Sequence, residues 1–344
     1  MTNFKQYFRS HLKANIKSVI FILTAVLVLT FLIGYYNQAV SVYDYRTKEY
    51  YTDYNATLYN PILFLCILAY VIPVMEFSFF KKRINLDCAY SLPINRRTMG
   101  TVHYLTGLIT LLGTFTASYL LNFILLLSQG TGHYDFKPMI PHYFLCLVLG
   151  FAMYSMMVFV FNMANTKNDG IWFMILYTFV FALITFALSA TIAYYRFGYF
   201  TFSDFGFSLI PWVVINSVTS YYQYPVEKSD IPSYLISRVD SDIIFGAVFL
   251  IVIGIVSAIG FFITFGKRRM EKTEDISDSF LGFRTLIPIC AICGMTVFEK
   301  WNNFEFWFII EILAMLGYTI YRRGFHYKKS EIIFLCSLLI FLVF

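Results

Sequence analysis

Two cysteines three residues apart, Cys290-Ala-Ile-Cys293, have the spacing of a redox pair or of half a zinc site. Their setting, "LIPICAICGM", is apolar, and it favours two small side chains packed in a hydrophobic segment. Of the six cysteines only Cys88 lies outside an apolar run, so no disulfide framework is expected. The histidines, His11, His103, His133, His142 and His326, are scattered. None has metal-ligand spacing such as His-Glu-x-x-His, so no metal site is expected. A phosphate loop needs Gly, four residues, then Gly-Lys-Ser/Thr. The nearest string, Gly260 to Gly266-Lys267-Arg268, has one residue too many and lacks the hydroxyl. Neither a Ser-His-Asp order nor the paired-Glu motif of an intramembrane protease is visible. Two acids, Glu76 and Glu311, sit inside apolar runs, where a charge is costly and usually functional. Glu76 stands near the end of its run and is expected to snorkel toward the basic loop beyond it. Glu311, in mid-run, is expected to pair with a polar group or a neighbouring chain. With no Lys, Arg or paired Asp in the runs, an ion-driven carrier is not expected, and no catalytic residue can be assigned.

The elements that carry these residues are membrane spans. The chain has 344 residues, 59% of them hydrophobic and 13% charged, with a mean hydropathy of +0.67. Soluble domains carry nearly twice that share of charge. Six strong apolar runs cover about 18–36, 58–78, 103–128, 143–164, 170–195 and 243–266. Three weaker ones follow at about 285–298, 304–321 and 332–344, some short enough to be tilted or re-entrant. The first run, about 19 residues with no small-residue cleavage site after it, is too long for a signal peptide, and none is expected.

Charge sets an orientation. With the N-terminus in the cytoplasm, 19 of the 26 Lys and Arg residues fall in the inner stretches 5–17, 81–97, 167, 267–284 and 322–329, leaving 7 outside. The net charge of +6 is therefore read as membrane orientation, not nucleic-acid binding. In residues 1–17, Phe4, Phe8, Leu12 and Ile16 recur every four residues, with Lys5, Arg9, Lys13 and Lys17 one step round. That is an amphipathic helix suited to lying on an anionic leaflet, and a separate surface elbow is expected. Between spans 5 and 6, within residues 196–242, the stretch "FSDFGFSLIPWVVINSVTSYYQYP" is strongly apolar, but its run of about 15 apolar residues is too short to cross. Ser203-Asp204 could cap a short helix that Pro211 breaks. A helical hairpin dipping into the outer leaflet is expected, with Phe205, Pro211, Trp212 and Val213 in it.

The stretch "EFSFFKKRINLDCAYSLPINRRTM" (Glu76–Met99) is short, basic and half apolar, between two spans. It is similar to the first cytoplasmic loop of ABC-2-type transporter permeases, especially the Firmicute type encoded beside a small ABC ATPase. The run Asp87-x-x-x-Ser91-Leu92-Pro93-Ile94-x-Arg96 carries the resemblance. "FGKRRMEKTEDISDSF" (Phe265–Phe280) and "GYTIYRRGFHYKK" (Gly317–Lys329) are similar to the family's segments after span 6 and between tail spans.

The resemblance implies an all-α polytopic membrane protein. Its parts would be the elbow 1–17, a six-span exporter core 18–266 with a coupling loop at 79–101 and the outer hairpin at 196–242, and a tail 267–344 of about three further spans. It implies a multi-pass protein of a bacterial cell membrane, paired with a second permease chain, identical or not. ABC ATPase subunits would bind ATP and Mg, and this chain would bear no cofactor and do no chemistry. A coupling helix would dock in the ATPase through Arg83, Ile84, Leu86, Asp87, Tyr90, Ser91, Leu92, Pro93, Arg96 and Arg97, with Lys167 and Asn168 as a second contact. The expected cargo is hydrophobic or amphipathic, an antimicrobial or toxin peptide for example. Two alternatives stay open: a membrane sensor or immunity protein that binds a peptide without moving it, and a polytopic membrane enzyme. The enzyme would require a convergent polar cluster in the spans, and the sequence shows none.

Overall fold

Backbone in lipid can bond only to itself, and the apolar runs accordingly form helices. The computed structural model describes residues 4–36, 40–44, 49–53, 55–91, 94–128, 139–197, 209–223, 233–267, 273–277, 279–300 and 305–343. Six helices are long and apolar enough to cross a membrane: α1 (Phe4–Tyr36), α2 (Asn55–Phe77), α4 (Arg96–Ser128), α5 (Met139–Met163), α6 (Lys167–Phe197) and α8 (Ser233–Phe265). Shorter helices are α3 (Arg83–Tyr90), α7 (Pro211–Gln223), α9 (Phe283–Lys300), α10 (Glu305–Arg322) and α11 (Lys329–Val343). The chain is a helical multi-pass membrane protein, and side chains such as Phe21, Val256 and Ile244 lie exposed on the long helices. The tail helices have 18, 18 and 15 residues. At about 1.5 Å per residue they reach roughly 22–27 Å, short of the ~30 Å hydrocarbon core.

Three expectations change. The elbow is not a separate element: α1 runs unbroken for 33 residues, because no Pro or Gly interrupts it before Gly34. Its inward face is not the apolar stripe alone: Phe4 and Ile16 are exposed, while Phe8 and Leu12 are half-buried together with Tyr7, His11 and Asn15. Second, two short strands, β1 (Val40–Asp44) and β2 (Glu49–Asp53), pair antiparallel between α1 and α2, so the fold is not wholly helical. Third, Pro211 opens α7 instead of breaking a helix. A proline at the first helical position lacks only an N–H that has no partner there anyway. Pro211 is buried, Trp212 is exposed and Val213 is intermediate, while Phe205, Ser203 and Asp204 lie outside the described residues. The end of the expected hairpin belongs to α8, which begins at Ser233.

The chain divides into two compact units. The first comprises Met1–Glu76, Leu92–Val158 and Val214–Gly266. Here α1 lies along α4, with the hydroxyls of Thr30 and Ser118 hydrogen-bonded at 2.8 Å, both fully buried. Tyr104 of α4 bonds Ser155 of α5 at 2.6 Å, and Tyr154 donates back to the Tyr104 carbonyl at 3.1 Å. Other hydroxyls close onto their own helix. Thr24 and Thr110 each donate to the carbonyl four residues earlier, which answers the hydroxyl without water. Close approach is decided by glycine at Gly254 of α8, where a Cβ would lie 2.4 Å from the Ala152 Cα of α5.

The second unit comprises Phe77–Ser91, Phe159–Val213 and Lys267–Phe344. Phe173 of α6 meets Phe283 of α9 edge-on at 4.6 Å, and Tyr177 donates to the Leu281 carbonyl at 2.7 Å. Gly294 faces Ile310 and Gly317 faces Ile287, so α9 and α10 pack through small residues. Arg322 at the end of α10 is ion-paired with Glu331 of α11, both nearly buried.

Gly254→Leu should push α8 off α5 at a cost of about 1–3 kcal/mol, read as a lower Tm in detergent. Gly113→Ala should be tolerated, since a Cβ there meets nothing within 4 Å.

Candidate functional site

The second unit gathers the polar segments that leave the spans. The 3-10 turn Ser78–Lys81 brings Lys81 inward, 3% exposed. Its ammonium donates to the carbonyls of Phe161, Asn162 and Ala164 at 2.8, 3.4 and 2.5 Å, and lies 4.9 Å from the Phe161 ring centre. These carbonyls lie at and just past the C-terminus of α5, where helical bonding runs out and positive charge is favoured; the Phe161 carbonyl also takes the Ala164 N–H at 3.4 Å. Lys81 is therefore a helix cap, not a surface anchor.

Beyond that cap the chain turns into α6. Thr166 caps it by accepting from the Asp169 N–H at 3.2 Å. Asp169 in turn accepts from the Ser277 hydroxyl at 2.5 Å. The Ser277 oxygen takes the Asn165 N–H at 2.8 Å, and the Asn165 side chain donates to the Ile276 carbonyl at 3.1 Å. Residues 273–277 thus form a strap across the α5–α6 turn.

Helix α3 is mounted on the same strap. Lys82 supplies no side-chain cap. The Arg83 N–H instead donates to the Glu274 carboxylate at 3.2 Å, so Glu274 caps α3 from afar. The Arg83 guanidinium donates to the Thr273 carbonyl at 2.8 Å and to Asp275 at 3.0 Å. From the far side Arg323 donates to the carbonyls of Glu274 and Asp275 at 3.0 and 3.3 Å. Glu274 and Arg323 have φ of 71° and 55°, a region that residues other than glycine rarely enter. Glu274 is held there from three directions: by its carboxylate, its carbonyl and its N–H, which reaches the Asn165 carbonyl at 3.4 Å.

Of the residues expected to dock a partner, Arg83, Ile84, Asp87, Ser91, Arg97, Lys167 and Asn168 are exposed, and Arg96 is intermediate. Leu86 is not available: it is 4% exposed within the chain itself, while Ile84, two positions away, is 73% exposed. Leu92 and Pro93 lie outside the described residues, as does the side chain of Tyr90. Arg96 and Arg97 belong to the first unit. There the Asn95 side chain caps α4 by accepting the Arg97 N–H at 3.2 Å, and the Arg97 stem passes over Gly266.

Glu76 does not reach for the basic loop. It is hydrogen-bonded to His11 and His103, and these three are a group of metal-ligating composition among the described residues. No motif spacing signals it, because the partners stand 65 and 27 residues from Glu76 in the chain. The available signal is the polar row Tyr7, His11, Asn15, one helical turn apart and half-buried beside the basic edge of α1. Glu311 is 8% exposed, and no ionic or hydrogen-bonding partner faces it among the described residues. Cys290 lines an apolar cavity of about 730 Å³ between α6, α9 and α10, together with Trp172, Phe179, Phe186 and Leu313.

The chain matches no family model, no curated protein and no solved structure.

Lys81→Met should remove three hydrogen bonds made by a charged donor and lower stability by about 1–3 kcal/mol, measured by thermal unfolding in detergent. The Arg322–Glu331 pair carries a pH signature. Burial raises the Glu331 carboxyl, but the Arg322 hydrogen bonds and the Lys328 N–H outweigh burial and hold it below the ordinary carboxylate range. The folded value then lies below the unfolded one, about 4.3. The pair's contribution is present above about pH 4.3 and is lost as pH falls through the folded value. Arg322→Gln should lower Tm at pH 7, and its deficit against the parent should shrink in acid.

Proposed function

We propose that this chain is the transmembrane permease subunit of an ABC-2-type exporter, driven by a separate ABC ATPase. It moves a hydrophobic or amphipathic substrate, and a peptide is the cargo class kept from the sequence. ATP hydrolysis belongs to the partner, and two permease chains, identical or not, enclose the path. The N-terminus and the strap-bound platform face the cytoplasm of a bacterial cell.

The observation that carries this reading is the mounting of α3. An eight-residue helix outside the spans is fixed by Arg83 and by burial of Leu86, yet presents Ile84 and Asp87 outward. Ile84 costs the chain exposed apolar area with no return in this fold, which is what a side chain meant for a groove on a partner does. Phe280 and Phe325, in the two other stretches similar to the family, are likewise 78% and 82% exposed. A rigid mount is also what coupling requires, since a push on α3 must reach the turn between α5 and α6.

A second reading, a polytopic membrane enzyme, is favoured by one observation: the spans do contain a convergent polar cluster, at His11, Glu76 and His103.

Co-purification of the chain with an ABC ATPase from its own cell tests the first reading. Ile84→Asp should fold normally and weaken ATPase retention about tenfold or more, the loss of one well-buried apolar contact. Leu86→Asp should instead reduce folded yield, because it buries an unpaired charge inside the chain. Full ATPase retention by Ile84→Asp, or no ATPase partner for the parent chain, overturns the proposal.

A further inference from the structure

Helix α1 turns polar side chains inward where a lipid-facing helix should turn apolar ones. Tyr7, His11 and Asn15 lie one turn apart on one face, and the neighbours supply Glu76 from the end of α2 and His103 from the start of α4. The side chains of His11, Glu76 and His103 are 13%, 10% and 7% exposed. Their two imidazole rings are 3.9 Å apart between centres. Both point a nitrogen at the same carboxylate oxygen: His11 Nε2 at 3.0 Å and His103 Nδ1 at 3.2 Å from Glu76 Oε2.

Hydrogen bonding alone does not satisfy this arrangement. His11 Nε2 faces the Glu76 oxygen, which needs a donor, and also the Asn15 Nδ2 at 3.0 Å, which is itself a donor. A ring nitrogen carries either a proton or a lone pair, so it answers one neighbour and opposes the other. A cation among the three side chains removes the opposition between His11 Nε2 and Glu76 Oε2, because these two atoms and His103 Nδ1 can then each present a lone pair to it, while Asn15 keeps the second Glu76 oxygen as its acceptor.

We propose that His11, Glu76 and His103 bind one divalent first-row transition-metal ion, with zinc the ion best suited to the set. Two imidazoles and one carboxylate are a zinc ligand set that leaves a fourth position open. Ligands about 2.0–2.1 Å from a tetrahedral ion stand roughly 3.3 Å apart. Two of the edges, 3.0 and 3.2 Å, are already near that length, and all three ligand atoms lie within 4.8 Å of one another. Outer contacts that orient ligands are present as well. His103 Nε2 lies 3.3 Å from the Tyr7 hydroxyl, and donation from it leaves Nδ1 with its lone pair inward. The second Glu76 oxygen accepts from Asn15 at 3.5 Å. A bound ion would join three helices of the first unit at one point and tie the N-terminal third of α1 to α2 and α4. This proposal stands independently of the transport reading.

The test uses the full-length chain in detergent, purified through a tag without histidine and stripped with chelator. Co²⁺ is the spectroscopic probe, and Zn²⁺ is titrated against a chromophoric chelator. One equivalent of Zn²⁺ should bind, Co²⁺ should give the visible d–d bands of a low-symmetry site, and Zn²⁺ should raise Tm. Glu76→Gln and His103→Ala should weaken Zn²⁺ binding at least 100-fold and abolish the Tm response, while His326→Ala, at an exposed histidine, should keep both. His11→Gln retains a polar side chain of similar reach, so its metal-free Tm separates loss of a ligand from loss of fold. If the parent chain gives no Co²⁺ bands and takes up no Zn²⁺ beyond the Glu76→Gln level, the cluster is a hydrogen-bonded one and the proposal fails. That outcome needs no variant beyond one that folds, and parent spectra without d–d bands decide it alone.

Discussion

The last carbonyls of α5 lack the amides of a further helical turn, and the Phe161 carbonyl receives only a long bond, 3.4 Å, from the Ala164 N–H; some other donor has to answer them. The Lys81 ammonium does, with three acceptors and an aromatic face around one buried charge. A buried ammonium is stable only when so surrounded, and a helix end is stable only when so capped, so each removes the other's penalty. Much of the second unit's polar architecture follows. With the end of α5 fixed, Asn165 and Asp169 stand where the strap 273–277 can bond them. The strap then gives Arg83 and Arg323 their acceptors.

This order of dependence separates holding from presenting. On the eight residues of α3, Arg83 and Leu86 hold, and Ile84 and Asp87 present. The hydrogen bonds of Arg83 go to a backbone carbonyl and a neighbouring carboxylate of the same chain, so its charge is largely engaged at home. In the proposed exporter, recognition of the ATPase would rest on shape and apolar contact more than on the basic residues that make the loop conspicuous.

The sequence made the long helices legible because a span needs a run of about 20 apolar residues, and such runs are hard to produce otherwise. Pairing was not legible. Lys81 and Lys82 are adjacent and chemically alike, yet one is buried and the other exposed, and only the position of the α5 terminus distinguishes them. Ile84 and Leu86 are equally apolar, and which one faces inward is decided by the mount, not by the helix. Pro211 carries the same signal whether it ends one helix or begins another. The strands at 40–44 and 49–53 are five residues each, too short for alternation to stand out beside the spans. The cluster at Glu76 was hidden because its ligands come from three helices, so a reading by local spacing finds only scattered histidines.

The two backbone positions forced into the left-handed region, Glu274 and Arg323, are bonded to each other. Each such residue costs about 1–3 kcal/mol where it stands. Arg323 is held there by the end of α10, where its own N–H and that of Gly324 bond the Ile320 and Thr319 carbonyls, and its side chain carries that fixed point across to the Glu274 carbonyl. The strap is therefore anchored to the last turn of a helix, and a movement of α10 would be felt at residue 274.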